Sequence, residues 1–345
     1  MQKKLNFILI APCLFAIIVD NLGFGLVYPI LVEMFAPTKS SILPLDTPKD
    51  LRDFYLGLGF FLYPLFTLFG ASFMGDLSDR IGRKRVLGIC MSGLSISFLL
   101  MGFAINSFSL WLLFFGRALS GLMAGSFPVA QAAIADLSTK NNKAFNMSFS
   151  TGALSVGVLI GPLVGGVFSE SKFSSYFNYS TPFYIASFLA LISLIWIILG
   201  FKETYRSGAV KKIDLTRPVR LFIEGFQHKS IRLLAIVFAF SQTGWGVYYE
   251  FTSVFLKDHF RYDSLHLGLF DGFLGASSIA GMLIVYRYVI RYISAYKVAT
   301  YSLLILGVYQ IFTAVFPLQA LIEQLLCMQH RGCHHHAPGL VPPGG

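Results

Sequence analysis

The stretch "GDLSDRIGRK", residues 75–84, is followed by Arg85 and lies inside "FMGDLSDRIGRKRV", residues 73–86. It gathers two acids (Asp76, Asp79) and four bases (Arg80, Arg83, Lys84, Arg85) in a chain that is 13% charged and 55% hydrophobic, with a mean hydropathy of +0.67. The residues on either side are almost all apolar. A soluble domain could not hide that much apolar surface. The apolar residues fall in blocks of about 20, the length that crosses a bilayer as a helix. The charged stretch therefore reads as a tight polar turn between two membrane helices.

Nine such blocks can be read: 7–32, 54–74, 86–105, 110–135, 147–170, 180–201, 231–256, 268–290 and 298–317. A lipid-exposed backbone must satisfy its own hydrogen bonds, so helices are expected. A membrane β-barrel would alternate apolar and polar residues along each strand, and these blocks do not. The first block has a signal-peptide look, with Lys3 and Lys4 before an apolar run. That run continues to Val32, too long for a signal core, and no small-x-small site follows. It is read as a retained first helix.

The net charge of +10 follows topology. With the N-terminus cytoplasmic and sides alternating, 19 of the 27 Lys and Arg lie inside and six outside. The bias matches the positive-inside rule and sets the orientation, so no nucleic-acid partner is expected. Cys13 and Cys90 lie in helical blocks, and Cys327 and Cys333 in the tail. Nothing in their spacing makes a disulfide framework.

The blocks group as a six-helix N-terminal bundle over 1–201, a basic cytoplasmic linker over 202–230, and a partial C-terminal bundle of three helices over 231–317. Residues 219–226 of the linker read as a short amphipathic piece. The tail, 318–345, ends in Pro and Gly, reads as disordered and does not look like the membrane protein's continuation. Cys327, His330, Cys333 and His334 to His336 mimic zinc ligands. No second half-site lies at a finger-like distance, so no metal is expected.

"GDLSDRIGRK" resembles the signature loop between helices two and three of the major facilitator superfamily, G-x-L-[AS]-D-R-x-G-R-[RK], with every specified position present. "GRALSGLMAGSFPVAQAAIAD", residues 116–136, resembles the family's fourth-helix motif. "GVLIGPLVGG", residues 157–166, resembles the fifth-helix motif of its antiporters. "VDNLGFGLVYPIL", residues 19–31, resembles the first helix of the drug–proton antiporter branch, tetracycline-efflux type in particular. The resemblance covers residues 5–317 and is strongest in the first half; "YRYVIRYISAYKV", residues 286–298, keeps bases but lacks the glycines and acid of a repeated signature.

The residues support a site on their own chemistry. Asp20 lies 13 residues after Phe7, about 20 Å along a helix axis. A charge at that depth costs about 2.5–3.5 kcal/mol on insertion scales and is usually functional. Arg117 poses the same problem in the fourth helix. The simplest arrangement has both face one polar cavity, where they could also face each other. Protonation of the acid would weaken that attraction, making a proton-sensitive switch; a purely structural buried pair is the alternative. Gly157, Gly161 and Gly165 share one helix face, and Pro162 can bend the helix. A smooth, bent face would let the two bundles approach and slide, though ordinary small-residue packing would look the same. Asn21, Gln131, Gln242, Trp245, Tyr249 and Glu250 are candidate cavity residues for an amphipathic or cationic solute. For the last group an interfacial aromatic belt remains open as the bland reading.

In the charged turn, Gly75 and Gly82 permit tight geometry. The bases Arg80, Arg83 and Lys84 alone would read as a positive-inside anchor, while the resemblance implies that together with Asp79 they form a cytoplasmic gate. The resemblance implies that this gate holds the outward-facing state, with Arg83 paired to Asp136 and Asp79 to the N-terminus of an eleventh helix. It implies an all-α polytopic fold of twelve helices in two bundles with alternating access. It further implies proton-coupled efflux across the bacterial inner membrane, with no cofactor beyond the coupling proton and a monomeric chain. Nine blocks fall short of twelve, so the chain is expected to be a truncated, frame-shifted product with an incomplete second bundle. An uptake carrier for a sugar or metabolite and an inactive product stay open. No Ser/His/Asp, HExxH or phosphate-loop constellation points to an enzyme.

Overall fold

The computed structural model describes residues 2–38, 40–139, 142–169, 174, 176–204, 220, 223, 224, 226, 227, 232–260, 262–284, 292, 293 and 295–315. Among them the secondary structure is helical, with no strand. The helices are α1 (Gln2–Phe35), α2 (Lys49–Ile81), α3 (Arg83–Asn106), α4 (Leu110–Met123) and α5 (Ser126–Asp136). They continue as α6 (Lys143–Ser169), α7 (Thr181–Gly200), α8 (Arg232–Phe260), α9 (Ser264–Ile284) and α10 (Ala295–Val315). The linker from 205 to 219 and the tail from 316 onward, with Cys327, His330 and Cys333, lie outside the described residues. The amphipathic piece expected over 219–226 lies largely outside them too.

Six spans among the described residues are long and apolar enough to cross a membrane: Leu9–Phe35, Lys49–Ile81, Arg83–Asn106, Leu110–Asp136, Phe145–Ser169 and Thr181–Gly200. The fourth combines α4 and α5, which are separated by a break at Ala124 and Gly125. The chain is thus a multi-pass membrane protein, helical in secondary structure among the described residues. Helices overrun the apolar blocks wherever polar ends can reach water. Helix α2 extends to Ile81 although its apolar block stops near 74. The residues read as a loop, 75–81, are its last two turns, so the turn between α2 and α3 is Gly82 alone.

Residues 1–284 form one compact unit and 285–345, with α10, another. Within the first unit α1 is the most enclosed span. It packs chiefly on α6, and α6 turns its other side to α9; α3 packs on α7 and α4, and α2 on α4. Polar side chains lock some of these pairs. Ser95 Oγ of α3 donates to the Ser187 carbonyl of α7 at 3.1 Å, and Ser187 Oγ donates to the Ser95 carbonyl at 2.8 Å. Small hydroxyls allow close approach, and here each serine's hydroxyl bonds the other's backbone.

Candidate functional site

At the α2–α3 turn Gly82 has φ +104°, a left-handed value that suits glycine. A Cβ there would lie 2.3 Å from a carboxylate oxygen of Glu203. That carboxylate caps α3. The Arg83 backbone N–H donates to Oε1 at 2.9 Å and the Lys84 N–H to Oε2 at 3.1 Å. The first N–H groups of a helix have no partner within it and favour negative charge. The sequence reading missed Glu203. It stands three residues beyond the end of α7 at Gly200, and only the fold carries it to α3.

The Arg83 guanidinium gathers the turn. Its Nη1 lies 2.7 Å from Asp79 Oδ1 and its Nε 3.3 Å from Asp136 Oδ2 at the end of α5. It also donates to Ser78 Oγ, which donates to the Gly75 carbonyl at 2.7 Å. Asp79 is therefore engaged with Arg83. Arg80 and Lys84 are half-buried and Arg85 is exposed. Gly75 departs from the expectation of special backbone geometry. It is an ordinary helical residue, and a Cβ there would meet nothing within 4 Å. The helix simply continues through it.

Asp20 and Arg117 are both enclosed, at 4% and 1% exposure. They do not form an ion pair. Asp20 Oδ2 accepts a hydrogen bond from Ser126 Oγ, the first residue of α5, and Oδ1 has no hydrogen-bond partner. Arg117 Nε donates to the Gly59 carbonyl of α2 at 3.0 Å, and its guanidinium lies 5.1 Å from the centre of the Tyr63 ring. Tyr63 lies within the field of both charges.

The glycine stripe of α6 also departs from expectation. A Cβ at Gly157, Gly161 or Gly165 would fall 2.5–2.6 Å from the carbonyl oxygens of Ile18, Leu22 and Leu26, all on α1. The stripe seats α6 on α1, within the first six spans. The contact with α9 comes from the other side of α6, through Leu159, Leu163, Gly166 and the Pro162 carbonyl. Pro162 also touches Gly25 of α1.

Of the cavity candidates, Asn21 turns back on its own helix and donates to the Ile17 carbonyl at 2.9 Å. Gln131 is half-buried and Gln242 exposed. The side chains of Trp245 and Glu250 lie outside the described residues. Tyr249 is buried and joins an aromatic cluster. Its ring is 6.4 Å from Phe24, stacked, and 5.3 Å from Tyr28, edge-on. Phe24 lies 5.3 Å from Tyr63, and Tyr28 lies 5.2 Å from Phe60. Phe24, Tyr28 and Tyr63 escaped the sequence reading. The signal was present for two of them, because Asp20, Phe24 and Tyr28 recur every four residues along one face of α1.

The opposite end of the bundle has its own polar assembly. Arg52, 5% exposed, winds the α1–α2 loop around itself. It donates to the carbonyls of Phe35 at 3.1 Å, Thr47 at 3.1 Å and Pro44, and to Ser41 Oγ at 2.9 Å. Lys257 of α8 pairs with Glu33 at the end of α1, and Lys49 with Asp258 at 3.4 Å. A cavity of about 260 Å³ lies here, lined in part by Phe35, Lys49, Arg52, Asp53, Val254 and Asp258.

The model of the Major Facilitator Superfamily matches residues 10–328, reaching past Pro317. The chain is 26% identical over 254 residues to the tetracycline resistance protein, class B, of Escherichia coli, covering 73% of this chain and 59% of that protein. It is 31% identical over 229 residues to the multidrug resistance protein MdtG of Serratia proteamaculans, covering 66% and 53%. It thus spans a little over half the length of these relatives. Among solved structures, a D-xylose-proton symporter superposes with a TM-score of 0.62 at 13% identity, covering 83% of this chain and 69% of that one. At that identity the likeness shows the fold alone.

Proposed function

Because the chain belongs to the Major Facilitator Superfamily, we propose that it serves proton-coupled export of an amphipathic organic solute by alternating access, without enzymatic chemistry. The observation that carries the coupling is Asp20. It is an acid enclosed on the most buried span, with one oxygen held by Ser126 and the other without a hydrogen-bond partner. A charge in the interior of a membrane bundle is retained at a cost and marks ion pathways. The aromatic cluster of Phe24, Tyr28 and Tyr249 next to it offers faces for an organic cation or a fused ring. Relatives named for tetracycline and multidrug resistance support the solute class.

In this reading the turn with Arg83, Asp79 and Asp136 is the cytoplasmic gate, in agreement with the positive-inside bias. The chain sits in the bacterial inner membrane, N-terminus inside, acts as a monomer and takes no cofactor besides the proton. The test uses everted vesicles carrying the chain, a pH gradient and tetracycline as probe. Uptake should follow the gradient, and Asp20→Asn should abolish it. Uptake unchanged in Asp20→Asn would remove the coupling role; no gradient-driven uptake with any of a panel of organic dyes would remove the export reading.

A further inference from the structure

Helix α9 carries an acid that the reading above leaves without a task. Asp271 is 1% exposed and lies seven residues after the first residue of α9, Ser264, about 10 Å along the axis. Its Oδ2 accepts a hydrogen bond from Ser253 Oγ of α8 at 3.3 Å, and its Oδ1 has no hydrogen-bond partner. No cation pairs with it among the described residues. It sits on the shoulder of the α9 face formed by Gly268, Gly272 and Gly275. That face meets Leu159, Pro162, Leu163 and Gly166 of α6, none of them titratable. From α8, Tyr249 lies within the field of the Asp271 charge, one turn before Ser253. Lys257, one turn after Ser253, is engaged with Glu33 of α1.

The arrangement repeats that of Asp20. Each acid is enclosed, each is held through one oxygen by a serine of a neighbouring helix, and each leaves the other oxygen without a hydrogen bond. Each also acts on a tyrosine, Tyr63 for Asp20 and Tyr249 for Asp271, and Phe24 packs against both rings. A charge in such surroundings must be offset by a cation or a proton. A proton needs neither a cavity nor a ligand shell.

We propose that Asp271, held by Ser253, is a second proton-carrying carboxylate, the counterpart on α9 of Asp20 on α1. The proposal rests on the proton-coupled reading above. One proton from water adds to the carboxylate to give the neutral acid and later returns to water; no other bond changes. The two sites flank one aromatic cluster, so a solute lodged there would meet both.

The test is infrared difference spectroscopy of the full chain in lipid nanodiscs, stepped through pH, which reads the carbonyl stretch of protonated carboxyls. One band should be lost in Asp271→Asn and a different one in Asp20→Asn. Ser253→Ala should move the first band without removing it. A spectrum of Asp271→Asn that superposes on the unaltered chain overturns the proposal. If that variant does not fold, Ser253→Ala decides, and bands that stay in place overturn it. Export indifferent to the pH gradient alongside an Asp271 band would end the coupling reading while upholding the site.

Discussion

The two ends of the bundle solve the same problem, reversing the chain at the edge of a bilayer, in opposite ways. At one end α2 passes into α3 through Gly82 alone, and a dense set of charges gathers round Arg83. At the other, residues 36–48 connect α1 to α2, and the loop is wound about one buried Arg52. The first end is rich in charge but open: the side chains of Asp79 and Asp136 are 40% and 36% exposed. Ion pairs so exposed contribute about 0–1 kcal/mol. The second end is charged as well, but its Arg52 is buried, and there a lost partner leaves buried or half-buried carbonyls unbonded, at about 1–3 kcal/mol each where water cannot reach them. What separates the ends is the burial of the groups that bond the organising arginine, not the amount of charge.

The comparison would break first at Arg52. Arg52→Ala should cost about 3 kcal/mol or more, because the carbonyls of Phe35, Pro44 and Thr47 lose their donor together. Thermal unfolding in detergent reads this, and a loss under about 1 kcal/mol would erase the difference between the ends. Next comes the open end's backbone. Gly82→Ala should cost about 1–3 kcal/mol, the usual strain of a side chain in the left-handed region, made worse by the collision with Glu203. Gly75→Ala, seven residues earlier, should be neutral or slightly stabilising, since alanine favours a helix over glycine. Equal losses at both glycines would mean that the turn is not set by Gly82.

The smallest effects separate the ion pairs. A double-mutant cycle on Glu33 and Lys257 should give a coupling of about 1–2 kcal/mol, within the range for contacting residues. The same cycle on Arg83 and Asp136 should stay below about 1 kcal/mol and fade with added salt. A larger coupling at Arg83 would make the turn a structural clamp and reverse the assignment of the two ends.

Much of this was legible in the chain. Nine apolar blocks foretold helices at the right places, because bilayer thickness leaves little freedom in length. Asp20 and Arg117 stood out because each interrupts an apolar run. Asp271 interrupts one as well, yet it was passed over. A block over 268–290 places the acid near its start, whereas α9 begins at Ser264 and encloses it. Glu33 and Lys257 fell just beyond their blocks for the same reason. Hydropathy locates the lipid-facing middle of a helix and not its ends, because polar ends reach water or one another.

Partnership was the part that composition could not supply. Glycines at every fourth residue announced a close approach but not toward which helix, and α1 rather than the second half took the stripe. Asp20 and Arg117 were both visible as buried charges, and the packing of whole helices gave them separate partners, Ser126 and the Gly59 carbonyl. By itself, then, the sequence determined the membrane, the helical class and the family, since each depends on residue type and spacing along one segment; that the reversal between α2 and α3 is Gly82 alone came from the structure. The tertiary structure alone decided that Glu203 caps α3, that Arg52 organises the far loop, and that Asp20 and Asp271 flank one aromatic cluster. These pairings join residues far apart in the chain, and only the packing of whole helices fixes which faces meet.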